Sequence, residues 1–185
     1  MVRQPDGGGI TWTNITWNVV RGCSRVSHGC ERCYAERIAA RFSGPGQPYE
    51  GLARRTTDGG RWTGEVRLVP ELLDAPLRWK KPRRIFVNSM SDLFHEALPD
   101  EAIDQVFAIM ALAPQHCFQV LTKRAARMRA YFAEEWRWVL VEGSAQKIYH
   151  ERTGEDPSMG DYPGLARSDR AAVGNYPLDK PRPPG

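Results

Sequence analysis

The chain has 185 residues, 41% apolar and 26% charged, the composition of a soluble globular protein with room for one domain and a tail. No apolar run approaches the ~18 residues of a membrane-spanning helix, and residues 1–9 are polar and glycine-rich rather than a signal peptide, so no membrane partner and a cytoplasmic location are expected. The net charge is +4, and the last fifty residues carry seven basic against seven acidic groups, so a polyanion would meet the front of the chain.

Residues 15–20 (Ile-Thr-Trp-Asn-Val-Val) are β-branched and aromatic and predict a strand running straight into Arg21-Gly22-Cys23. Residues 34–42 carry Ala, Glu, Arg and apolar side chains at helical spacing, and Ser43-Gly44-Pro45-Gly46 stops that helix. A polar, glycine-containing connection follows to about Thr63, then a weak strand over 65–69 and a short helix over 70–81 interrupted by Pro76. Residues 85–89 predict a strand. Pro99-Asp100-Glu101 opens a helix, because proline suits a first turn and acids suit its positive end. Its apolar positions Ile103, Val106, Phe107, Met110 and Ala111 recur at three and four residues, and Pro114 closes it. A strand over 118–121 and a helix over 125–132 complete the alternation.

Alternating strands and helices predict an α/β domain of parallel strands joined by right-handed crossovers. An open sheet and a barrel both satisfy that pattern; the expected architecture is a partial (β/α) barrel with an irregular C-terminal tail. Residues 138–141 (Trp-Val-Leu-Val) suggest one more strand, after which long apolar runs vanish and proline and glycine accumulate. The expected division is a flexible N-terminus over 1–9, a domain over 10–144 and an irregular or disordered tail over 145–185.

Cysteines in a cytosolic chain serve more often as ligands or buried thiols than as disulfides. Cys117, within Cys-Phe-Gln-Val-Leu, is expected to be a core thiol. Cys23, Cys30 and Cys33 are spaced Cys-x6-Cys-x2-Cys, with His28 between the first two. Three readings compete: ordinary small residues in a loop; a tetrahedral zinc site of Cys23, His28, Cys30 and Cys33 in a nucleic-acid-binding module without catalysis; or a [4Fe–4S] cluster on three thiolates with one iron open to a ligand.

The stretch Trp17-Asn18-x3-Gly22-Cys23-x3-Ser27-x-Gly29-Cys30-x2-Cys33-Tyr34-Ala35-Glu36 resembles the signature of a phage and bacterial family of uncharacterised three-cysteine proteins. That family is regarded as radical-SAM-like and distantly similar to spore photoproduct lyase. Two later blocks resemble it in the same order, Phe86-Val-Asn-Ser-Met-Ser-Asp-Leu-Phe94 and Phe118-Gln-Val-Leu-Thr-Lys-Arg124, so the likeness spans residues 10–132. It implies that Cys23, Cys30 and Cys33 each ligate one iron, and that the fourth iron chelates S-adenosylmethionine. A reductant protein would drive cleavage of the sulfonium, and the resulting 5′-deoxyadenosyl radical would abstract hydrogen from a substrate. Compared with the commonest radical-SAM loop, the first gap is six rather than three, Arg32 precedes the last cysteine, and the aromatic residue, Tyr34, follows it.

Ligands of α/β folds sit at the carboxyl ends of strands. Asn88, Ser89, Ser91 and Asp92 end one strand; Thr122, Lys123 and Arg124 end the next. Asn88, Ser89 and Asp92 are candidates to bond the cofactor's amino or ribose groups, and Lys123 or Arg124 to meet a carboxylate or phosphate; turn capping is the alternative. His95 is expected to be an exposed loop histidine, or a proton donor near this rim. The basic run over 78–84 reads as a solvated helix end, and Trp12 and Trp17 as core. A nucleic-acid substrate is compatible with the basic front half.

Overall fold

The computed structural model describes residues 10–57 and 59–155. The expectations for residues 1–9 and for the tail beyond residue 155 lie outside the described residues. In chain order the elements are β1 (Ile15–Trp17), β2 (Val20–Arg21), α1 (Tyr34–Arg41), β3 (Ala53–Arg54), β4 (Arg61–Trp62), β5 (Arg67–Leu68), α2 (Pro70–Leu73), α3 (Ala75–Arg78), β6 (Arg84–Val87), α4 (Asp100–Leu112), β7 (Cys117–Val120), α5 (Ala125–Ala133) and α6 (Arg137–Thr153).

The fold is mixed α/β, built on a small parallel sheet of order β1-β6-β7. Ile15 sits opposite Ile85 and Trp17 opposite Val87, while Ile85 and Val87 face Phe118 and Val120 on the other side. The central strand β6 is apolar at Ile85, Phe86 and Val87, all buried, as a parallel strand covered on both faces must be. Its core continues through Leu93, Phe94 and Leu98 into Ile103, Val106 and Ile109 of α4.

Several local expectations change. The strand expected over 15–20 breaks after Trp17, because side-chain carbonyls replace the ladder there. Asn18 Oδ1 accepts from Ser89 Oγ at 3.0 Å and Met90 N at 3.1 Å, and Val20 N donates to Asn88 Oδ1 at 3.0 Å. Val20 and Arg21 then pair antiparallel with β5. The helix expected over 70–81 becomes two single turns, α2 and α3, divided at Asp74, since Pro76 cannot supply a helical N–H. The connection over 43–63 holds the β3–β4 hairpin and a second small core of Tyr49, Leu52, Ala53 and Trp62 against Ala35 and Ala39, with Cys23 and Cys33 packed on it.

Residues 138–141 are helical, not a strand. They lie in α6, whose Val141 and Ala145 pack against Ala108 and Leu112 of α4. The boundary expected at 144 therefore falls inside a helix, which runs to Thr153 and ends at Gly154 in the left-handed conformation (φ 73°). Cys117 is exposed rather than core, because it opens β7, the last strand of the sheet. The basic run over 78–84 is occupied locally: Arg78 pairs with Asp74, and the Arg83 guanidinium lies 5.6 Å from the Trp79 ring. It precedes β6, at the end of the sheet away from Asn88. Among the described residues no helix is long and apolar enough to cross a membrane.

Candidate functional site

The carboxyl ends of β1, β6 and β7 lead into three segments that enclose one cavity of about 690 Å³. Cys23, Cys30 and Cys33 line it, as do Asn88, Ser89, Asp92, Lys123 and Arg124, whereas His28 and His95 do not.

Backbone geometry sets where the cysteine loop starts. Gly22 bridges Ser91 in parallel fashion and adopts φ +91°, and a Cβ there would lie 2.0 Å from the Glu65 carbonyl oxygen. Gly22→Ala is expected to lose about 2–4 kcal/mol through strain and overpacking; an unchanged urea midpoint would refute this account. Past Cys23, Ser27 precedes a 3-10 turn over His28–Cys30, and Cys33 caps the N-terminus of α1. Glu36, 1% exposed, then fastens the loop: it pairs with Arg25 on one side and accepts from Trp62 N at 2.9 Å on the other.

The Cys23 and Cys30 thiols are biased in opposite directions. Burial pushes the Cys23 thiol above its ordinary value, opposed by the charge of Arg124. Burial also disfavours the Cys30 thiolate, but backbone hydrogen bonds at Val26 and Ser27, the Ser27 hydroxyl and the charge of Lys123 outweigh it, and the net direction is down. A sulfur biased toward thiolate is the form that binds metal.

Arg124 and Asp92 are present in the cavity wall in a different capacity from the one expected. The Arg124 side chain is 3% exposed and all five of its N–H groups are engaged. Nε donates to Glu96 Oε2 at 2.7 Å, Nη1 to Asp92 Oδ2 at 3.2 Å and Cys23 Sγ at 3.7 Å, and Nη2 to Ser24 Oγ at 2.8 Å and Ser24 O at 3.1 Å. It therefore orders the loop and has no donor left for a ligand's carboxylate or phosphate. Asp92 accepts from Phe94 N and Thr122 Oγ1 on one oxygen and from Lys123 N and Arg124 on the other, joining the ends of β6 and β7. Ser89 is likewise committed, its hydroxyl to Asn18 and its carbonyl to the Tyr34 hydroxyl at 2.7 Å.

Asn88 and Ser91 are the groups with capacity to spare. Asn88 is 2% exposed, sits at φ 59°, a region non-glycine residues seldom occupy, and spends Oδ1 on Val20 N while its buried Nδ2 bonds nothing among the described residues. The Ser91 hydroxyl is also buried and unpaired. Lys123 is exposed, with its ammonium in no hydrogen bond or ion pair among the described residues.

His95 is buried, 4% exposed, against the expectation of an exposed loop residue. Its Nδ1 accepts from Ala97 N at 3.2 Å, which leaves Nε2–H to donate to Ser24 Oγ at 2.8 Å. Burial, then the charge of Arg124, depress its pKa and keep the ring neutral. Ser24 was not singled out by the sequence, and Glu36 entered only as the last residue of the three-cysteine signature, with no role attached. His28 turns away: its side chain is fully exposed and bonded to Glu31 at 2.8 Å, and it does not line the cavity.

These features bear on which inorganic group the residues suit. A zinc ion needs its donors about 2.0–2.3 Å from one point, and among the described residues no three His, Cys, Asp or Glu side chains converge in that way. A cluster takes each thiolate on a separate iron; Cys23, Cys30 and Cys33 line one cavity. The unspent donors of Asn88 and Ser91 beside them suit a further polar ligand.

The fold and site define the class as a mixed α/β protein whose cysteine loop opens onto a cavity at the carboxyl ends of a three-stranded parallel sheet. Residues 7–160 match the family described as "Protein of unknown function (DUF5131)", and the chain belongs to that family. No curated protein and no solved structure matches it.

Proposed function

We propose that the chain is an iron–sulfur protein of the radical-SAM type, with Cys23, Cys30 and Cys33 holding a [4Fe–4S] cluster and the adjoining cavity receiving S-adenosylmethionine. The observation that carries this reading is the opening of all three thiols onto one cavity that also contains the unspent donors Asn88 Nδ2 and Ser91 Oγ. When bound, a cluster with an open iron supplies a site for chelation and one electron for reductive cleavage of the sulfonium.

The chain's own residues have separable tasks. Asn88 and Ser91 donate to ligand oxygens, and Lys123 meets the carboxylate. Arg124 steadies Cys23 through the Ser24 segment, with neutral His95 behind it; Glu36 and Arg25 hold the far side of the loop. Three parallel strands in sequential spatial order, with the ligand cavity at their carboxyl ends, support the finer reading of the sheet as part of a (β/α) barrel. A reductant protein would have to reach the cavity mouth.

Anaerobic reconstitution with iron and sulfide tests the proposal. About four irons and four sulfides per chain are expected, lost in Cys30→Ala and retained in His28→Ala. One tightly held zinc without sulfide, released by His28→Ala, would overturn it in favour of the zinc-stabilised module.

A further inference from the structure

The cavity lining also carries Trp12, 38% exposed, which lies against Phe86 with ring centroids 4.8 Å apart and planes tilted by 55°. Leu121, 59% exposed, stands on the same lining. Arg32 and Lys123 also line the mouth, and neither side chain is in an ion pair or hydrogen bond among the described residues. The carboxylate on the lining, Asp92, is saturated by its four donors. The lining thus combines an exposed indole with cations, complementary to a planar ring bearing an anion.

The surrounding segment extends that charge beyond a single anion. Residues 21–67 contain nine arginines, no lysine and five acids, a net of +4 equal to that of the whole chain. Arg37 and Arg41 stand one turn apart on α1, exposed and in no ion pair or side-chain hydrogen bond among the described residues, and Arg54 is exposed on β3. Arginine in place of lysine suits phosphate, which its planar fork binds through two hydrogen bonds. Exposed guanidinium groups on the helix that follows the cysteine loop suit a chain of phosphates that delivers one ring to the cavity.

We propose that this cavity also binds one unstacked nucleotide of a single-stranded nucleic acid, its base on Trp12 and its backbone along Arg32 and the arginines of α1. As an assignment of substrate class it rests on the cavity being the reaction site, but the binding itself does not require the cluster. A single strand is specified because a paired base cannot reach an indole in the cavity lining without leaving its stack.

Fluorescence anisotropy of the full chain with labelled single-stranded DNA and RNA oligonucleotides, before and after iron–sulfur loading, tests this. Binding is expected in both states, weakening steeply with added salt as counterions are released. Trp12→Ala should weaken it about ten-fold or more, Trp12→Phe much less, since either ring provides a stacking face. Arg37→Gln with Arg41→Gln should flatten the salt dependence. No binding to either strand type at about 50 mM salt, unchanged affinity in Trp12→Ala, or tighter binding of the matching duplex would each overturn the proposal. Iron and sulfide content, measured on the same samples, separates the two readings: oligonucleotide binding without a cluster retains the nucleic-acid site and removes the cluster, and a cluster without binding does the reverse.

Discussion

Arg124→Met is expected to lower stability by about 3–5 kcal/mol, because it breaks a buried ion pair by removing one partner. Asp92, with its side chain 7% exposed, would keep three hydrogen bonds but lose its counter-charge, and Ser24 would lose one of the two donors to its carbonyl and one of the donors to its hydroxyl. Arg124→Lys should rescue little, since one ammonium cannot reach acceptors on Cys23, Ser24, Asp92 and Glu96 together. The check is a urea titration read at constant slope; a loss below about 1 kcal/mol would show that the network is not stabilising as a unit. A second readout is the cysteine loop itself, where Cys23 should be alkylated faster in the variant under native conditions.

The other large effect belongs to the far side of the domain. Asp104, buried on α4, accepts from the Tyr131 hydroxyl at 2.7 Å and from Arg137 Nη1 at 3.1 Å, and the Arg137 guanidinium lies 4.4 Å from the Tyr131 ring. Burial and the neighbouring carboxylate push the Tyr131 hydroxyl far above the usual tyrosine range, so it remains a donor throughout the working pH range. Asp104→Ala removes the acceptor for both groups. The expected loss is about 3 kcal/mol, the lower part of the range for such pairs, because Arg137 retains Asp100 and Glu134. Hydrogen exchange over residues 137–153 should rise more than over α4; equal protection of α6 in the variant and the parent would contradict this.

The order of elements and the location of the site were legible in the sequence because both depend on local features. Cysteine spacing and the polar residues that follow apolar runs are written in consecutive letters, and they placed Cys23, Asn88 and Lys123 at one sheet edge. Roles at that edge were less legible. Nothing local distinguishes Arg124, with every donor consumed by groups up to 101 positions away, from Lys123, which has none consumed. His95 looked like a loop histidine because its partner, Ser24, is 71 residues distant. The tetrapeptide Trp-Val-Leu-Val over 138–141 fits a buried strand as well as it fits a helix; docking on α4 and the Arg137–Asp104 pair decided for α6. The connection over 43–63 looked polar because its small core is spread over Tyr49, Leu52 and Trp62, without a periodic run.

The span between Cys23 and Arg124 also sets a timetable for the nascent chain. At about 5–20 residues per second on the ribosome, the thiols precede the guanidinium that holds their loop by roughly 5–20 s. During that interval the cysteine segment has emerged without β7 or α5 to close it. A shortened chain ending before β7 should therefore carry its cysteines as accessible, oxidisable thiols.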